Sequence, residues 1–179
     1  MSRVGVVVGN PKARSRTLEV AETVAVAAAD EAGIVDVVFS TIDLVELGPE
    51  LFDWSSTRVR EVVDAVRRCP LVIVASPTYK ASYTGLLKAF LDWFSTTDLS
   101  GVTVVPVMVG AGPEHALAVE VHLRPVLVEI GATIPTRGLY VTESRLDTLS
   151  DAIADWLREA GPLLCAAVAH HRGEPAGSS

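Results

Sequence analysis

Five short apolar runs, each followed by a helical stretch, constrain this chain more than any other feature. Residues 4–8, 34–39, 71–75 and 102–109 are rich in Val and Ile, and a fifth strand lies within 133–141, broken by Pro135 and Gly138. Runs this apolar are buried on both faces, which is the mark of a parallel sheet covered by helices on either side. The intervening stretches carry helical spacing and helix punctuation. A helix over 17–32 stops at Gly33. A second, over 57–68, has Ser55 or Ser56 as cap. A third covers 84–94, and a fourth opens at Pro113 and runs to 130, kinked by Pro125. The last runs from 143 or 144 to 165, and residues 42–47 form a short extended piece. The pattern predicts a three-layer αβα sandwich with a five-stranded parallel sheet in the order 2-1-3-4-5. Right-handed crossovers place the C-terminal ends of all strands on one edge, and ligands bind outside that edge near strands 1 and 3.

At 179 residues, with 49% hydrophobic and 21% charged residues, the chain reads as one folded domain over 1–166. The polar, Gly- and Pro-containing stretch 167–179 reads as a flexible tail. No apolar run approaches the ~20 residues of a membrane span. The first apolar run is too short for a signal peptide, so a cytoplasmic location is expected. Cys69 and Cys165 lie far apart in the sequence and suggest two buried, reduced thiols rather than a disulfide framework or a metal site. The net charge of −7 argues against nucleic acid. Charge is unevenly spread: all 22 acidic residues come after residue 18, whereas Arg3, Lys12, Arg14 and Arg16 precede it. A basic loop on an acidic protein is either a local anion site or a solvated loop.

Three loops follow strands 1, 3 and 4. The first, 9–17, joins a buried strand to a helix start, where free N–H groups and the dipole suit a phosphate. Ser15 and Thr17 add hydroxyls, and Lys12, Arg14 or Arg16 add charge. An ordinary capped loop would have the same residues. The second, 76–85, contains Pro77, Thr78, Tyr79, Lys80 and Ser82. Its backbone can meet the edge of a flat heterocycle and Tyr79 can pack on the ring, or Tyr79 can sit in the core. The third holds Gly110, Ala111, Gly112 and His115. Its glycines let backbone amides approach a ligand closely, and His115 either contacts that ligand or lies on the surface. No metal-ligand cluster and no Gly-x-Ser-x-Gly nucleophile elbow is present.

The run Ser76-Pro77-Thr78-Tyr79-Lys80-Ala81-Ser82-Tyr83-Thr84-Gly85-Leu86-Leu87-Lys88 is the sharpest signature in the chain. With Gly9, Pro11, Ser15 and Arg16, and with the stretch 115–127, it resembles the NADPH-dependent FMN reductase family. The likeness is nearest to the branch associated with alkanesulfonate monooxygenases. It implies a flavodoxin-like fold and hydride transfer from NADPH or NADH to FMN, with reduced flavin passed to a partner monooxygenase. It also implies residue roles. Asn10, Lys12, Ser15, Arg16 and Thr17 would hold the phosphate. Pro77, Thr78, Tyr79 and Lys80, with Ser82, would line the isoalloxazine. Gly110, Ala111 and Gly112 would meet its pyrimidine edge, with His115 nearby. No side chain need act as acid or base.

The chain departs from the family pattern at Asn10, where Ser is usual, at Lys12, where Arg is frequent, and at Ala111, where Gly is common. In the nearest branch some members have an inserted Tyr that makes a π-helix near the flavin, and Val121-His122 stands in that region here. The resemblance further implies a homodimer or homotetramer packed through the helices after strands 3 and 4, where Phe90, Leu91, Trp93 and Phe94 cluster. The alternative is a flavin-bound quinone, azo or nitro-compound reductase. A flavodoxin-type electron carrier would have a Thr-rich phosphate loop, which this chain lacks.

Overall fold

The structure, a computed structural model, describes residues 1–171. Its sheet has five parallel strands in the order β2-β1-β3-β4-β5, as expected: β1 (Ser2–Val8), β2 (Val37–Asp43), β3 (Leu71–Pro77), β4 (Thr103–Gly110) and β5 (Leu139–Thr142). The helices are α1 (Arg16–Glu31), α2 (Thr57–Arg67), α3 (Gly85–Leu91), α4 (Arg124–Glu129) and α5 (Leu149–His171). Alternation along β1 divides the core. Val4, Val6 and Val8 pack with α1 and α5, while Val7 packs with α2, α3 and α4 on the other face. The flavodoxin-like arrangement is therefore built from the buried strands read in the sequence.

Four of the differences from the sequence reading have a clear physical reason. β2 starts at Val37, not residue 34. Gly33 (φ 61°) ends α1 with paired bonds, its own N–H to Asp30 and that of Ile34 to the Ala29 carbonyl. Ile34 thus belongs to the helix stop, as the apolar residue that closes such a motif. The piece at 42–47 is not extended: Ile42 and Asp43 complete β2, and Leu44–Glu46 make a 3-10 turn. The fourth helix is not continuous. It divides into a 3-10 turn (Pro113–His115), a π turn (Val119–Leu123) and α4, and Pro125 falls in the first turn of α4. Pro125 has no N–H to give to the turn before it, and the hydrogen-bond ladder widens there. α5 begins at Leu149, after a 3-10 turn over Glu143–Thr148, and continues past Cys165 to His171. Residues 167–171 of the expected tail are therefore helical, and 172–179 lie outside the described residues.

α3 has only seven residues, and a single hydroxyl caps it. Thr84 caps it, its Oγ accepting the Leu87 N–H at 3.1 Å and donating to the Gly9 carbonyl at 2.5 Å. Thr84→Val keeps the shape and removes both bonds. It is expected to lower stability by about 2 kcal/mol, as a lost cap plus an unsatisfied buried carbonyl. Denaturant unfolding checks this, with Thr84→Ser staying within about 1 kcal/mol of the parent.

Candidate functional site

Register places the ends of β1, β2, β3 and β4 side by side: Val8 pairs with Asp43 and with Ala75, and Pro77 with Val109. The three loops therefore leave the same edge, as the sequence analysis expects.

The first loop is an ordered donor cluster. Ser15 caps α1, and its Oγ accepts the Leu18 N–H at 3.2 Å. Thr17 accepts from the Asn10 amide at 3.0 Å, and the Asn10 carbonyl oxygen accepts the Lys12 N–H at 2.9 Å. Asn10, Ser15 and Thr17 are buried, yet among the described residues both hydroxyls are engaged only as acceptors, so each keeps a proton to donate. The first N–H groups of α1 have no carbonyl within the helix to bond. Asn10 thus braces the loop with most of its amide. Lys12 and Arg16 are exposed, and Arg16 pairs with Glu143 at 3.4 Å. That pair is more than 40% exposed on both sides and adds little stability.

The second loop is a tight hairpin. Tyr79 and Ser82 exchange backbone hydrogen bonds at 2.8 and 3.1 Å across Lys80 (φ 50°) and Ala81 (φ 62°). Two left-handed residues in a row form the turn that suits a two-residue hairpin. The hairpin leaves Tyr79 half exposed at the edge, not in the core, with Lys80 in solvent. It is anchored below by the Thr78 N–H to the Val109 carbonyl (2.7 Å) and by the Ser76 hydroxyl, which accepts the Thr84 N–H at 3.0 Å. The Thr78 hydroxyl is buried and has no hydrogen-bond partner among the described residues.

The third loop owes its glycines partly to a residue that the sequence did not flag. A side chain at Gly110 would collide with Tyr140, whose hydroxyl donates to the Gly112 carbonyl at 2.9 Å. Ala111 and His115 are exposed. Below the loop, Glu120 accepts the Gly138 N–H at 2.5 Å and pairs with Arg124, which also donates to the Ile134 and Thr136 carbonyls. Burial works to raise the Glu120 pKa, but Arg124, the Gly138 N–H and Arg137 together hold it below the ordinary carboxylate value. The π turn carrying Glu120 occupies the region expected to differ by Val121-His122. The wider turn is thus present without a Tyr in it. Phe90, Leu91 and Phe94 are buried in the chain's own core. Trp93 bonds the Leu51 carbonyl at 2.9 Å and lies 4.8 Å from Trp54.

Sequence reasoning missed two residues. Tyr140 is revealed only by packing across strands. Asp43 was hidden by the misplaced start of β2. It closes that strand, is buried, and accepts the Arg14 N–H at 3.3 Å beneath the first loop. Burial raises its pKa, offset in part by the N–H groups of Arg14 and Val45, with Glu46 adding a small upward push.

This edge fits FMN. Two buried hydroxyls with protons to give face a helix start, which suits a phosphate, and the orphaned Thr78 hydroxyl beside Gly110 suits a flat ring with polar edges. Among the described residues no group of His, Cys, Asp and Glu is arranged to hold a metal, and no helix is long and apolar enough to cross a membrane.

Comparison with known proteins identifies the family. Among curated proteins, the NADH-dependent FMN reductase SfnF of Pseudomonas putida is 35% identical over 95 residues, 53% of this chain and 51% of that protein. The NADPH FMN reductase of Escherichia coli K12 is 32% identical over 93 residues, 52% and 49% of the two chains. The chain spans about half the length of these curated relatives. Among solved structures, the NADH:FMN oxidoreductase EmoB in its apo form superposes with a TM-score of 0.76 at 30% identity, over 99% of this chain and 92% of that one. An oxidoreductase from Corynebacterium diphtheriae superposes with a TM-score of 0.80 at 26% identity, over 95% and 98%. The profile of NADPH-dependent FMN reductases matches residues 2–147, a span that takes in all three loops, and the chain belongs to that family.

Proposed function

We propose that this chain reduces FMN with a nicotinamide cofactor and hands the reduced flavin to a flavin-dependent monooxygenase. The observation that carries the reading is the buried donor pair of Ser15 and Thr17 at the start of α1, on the same sheet edge as the Tyr79 hairpin. When bound, FMN supplies the hydride acceptor, and the protein supplies position and electrostatics. Ser15, Thr17 and the N–H groups of the α1 start hold the phosphate, with Asn10 keeping the loop in shape and Lys12 and Arg16 adding charge from its rim. Pro77, Thr78 and Ser82 line the ring, and the Thr78 hydroxyl donates to a ring heteroatom. Tyr79 covers the ring and Lys80 stabilises negative charge near it. Gly110, Ala111 and Gly112 offer backbone to the ring edge, with His115 at its margin. None of these side chains has to exchange a proton for the reaction to proceed. The same reading makes the protein a homodimer or homotetramer.

The test is oxidation of NADPH and of NADH, followed by the loss of nicotinamide absorbance, with and without added FMN. A rate that saturates with FMN is expected. No oxidation of either nicotinamide overturns the reading. Flavin that stays bound through gel filtration, with a quinone outpacing free FMN as acceptor, replaces it with a quinone or azo-compound reductase.

A further inference from the structure

The basic residues of the first loop draw the eye, but the group that holds the loop is acidic. Asp43 ends β2 in register with Val8 and is 9% exposed. It precedes the 3-10 turn Leu44–Glu46 without a side-chain cap hydrogen bond, although the nearby Val45 N–H helps to hold its pKa down. Its Oδ2 instead takes the N–H of Arg14, which lies 29 residues away in the sequence. Its Oδ1 is buried with no hydrogen-bond partner among the described residues. Arg14 has φ 51°, in the left-handed region that a long side chain avoids unless its surroundings impose it. The next residue, Ser15, is extended (φ −79°, ψ 161°) and caps α1. The reversal at Arg14 is therefore what delivers Ser15 to the helix start, and the Asp43 carboxylate restrains it from the neighbouring strand, together with the turn that contains residues 13 and 14.

A carboxylate beneath an anion site opposes the anion by charge. Its presence there needs a compensating role, and the strained residue that it holds supplies one. We propose that Asp43 is a positioning residue that sets the preference for FMN over riboflavin, by clamping Arg14 in the left-handed conformation and so holding Ser15 and the α1 start ready for the phosphate. This rests on the reading of the first loop as the phosphate site.

The experiment is binding of FMN and of riboflavin to the full chain, read by quenching of flavin fluorescence, in a double-mutant cycle with circular dichroism as the check on folding. Glycine adopts positive φ freely, so R14G removes the need for the clamp. D43A is expected to weaken FMN binding on the order of tenfold, the worth of a hydrogen bond to a charged group, with riboflavin changed less than about twofold. In the R14G background the same D43A change is expected to cost less than about twofold, because the two residues act as a unit. D43N keeps an acceptor for the Arg14 N–H and is expected to stay within about threefold of the parent. It also serves as the well-folded variant if D43A is unstable.

Equal loss for both flavins in D43A would mean a general structural role and overturn the proposal. So would an undiminished D43A effect in the R14G background, or FMN binding unchanged in D43A. If the parent protein itself fails to prefer FMN over riboflavin, the phosphate-site reading falls and the proposal falls with it. A parent that prefers FMN, with a flat cycle, sinks the proposal alone.

Discussion

Ser15→Asp is expected to cut FMN affinity on the order of a hundredfold or more while leaving riboflavin binding and the fold in place. Asp is as good a helix cap as Ser, and an acid at a helix start is favoured by the dipole, so α1 loses nothing. The new carboxylate stands where the phosphate is proposed to bind. Two unit charges about 4 Å apart repel by roughly 4 kcal/mol at an effective dielectric near 20, and solvent at the loop reduces that. Ser15→Asn has the shape of Asp without its charge and separates repulsion from size. Titration of both flavins against the three proteins reads the result. Equal losses for FMN and riboflavin would place the phosphate elsewhere.

Gly9→Ala is expected to be strongly destabilising, at about 3 kcal/mol, the upper part of the range for overpacking. The added carbon would overlap the Leu87 side chain at its root and lie 3.1 Å from the Leu87 Cα. Leu87 is fully buried and those atoms are fixed to the backbone of α3, so the helix and β1 must separate. Separation also weakens the bond between Thr84 and the Gly9 carbonyl. A fall in melting temperature of roughly 6–12 °C is expected for a chain of this size. Gly85→Ala is the contrasting case. A side chain there meets nothing within 4 Å, so it is expected to be neutral or to stabilise by up to about 1 kcal/mol. Differential scanning calorimetry on the pair compares the two; equal melting temperatures would mean that β1 and α3 are not in close contact.

The sheet order and the edge that carries the loops were readable because buried parallel strands announce themselves as unbroken apolar runs. The edge strand β2 was misread by three residues. The apolar pair Ile34-Val35 continues the pattern of the strand, but Ile34 is committed to the stop of α1, and Val35 is exposed. That slip moved Asp43 out of the strand end and out of view. The π turn was unreadable as such, since a ladder that slips by one residue leaves no trace in composition. The glycines of the third loop were seen and their permissiveness understood. Their neighbour Tyr140 was not, because contact across strands is not written in local sequence. The first loop, proposed to hold the phosphate, was legible in its residue types. Only the structure shows Asn10 working within the loop and Arg16 paired outward.

The double engagement of Thr84 has a dynamic consequence. One hydroxyl joins the end of β1 to the start of α3, and the Ser76 hydroxyl ties the Thr84 backbone to the end of β3. The loop expected to hold the phosphate and the hairpin expected to hold the ring therefore cannot open independently. Their amides should exchange with deuterium as one cooperative unit, with one opening free energy. A ligand that grips only the phosphate loop should then slow exchange in the hairpin that it never touches.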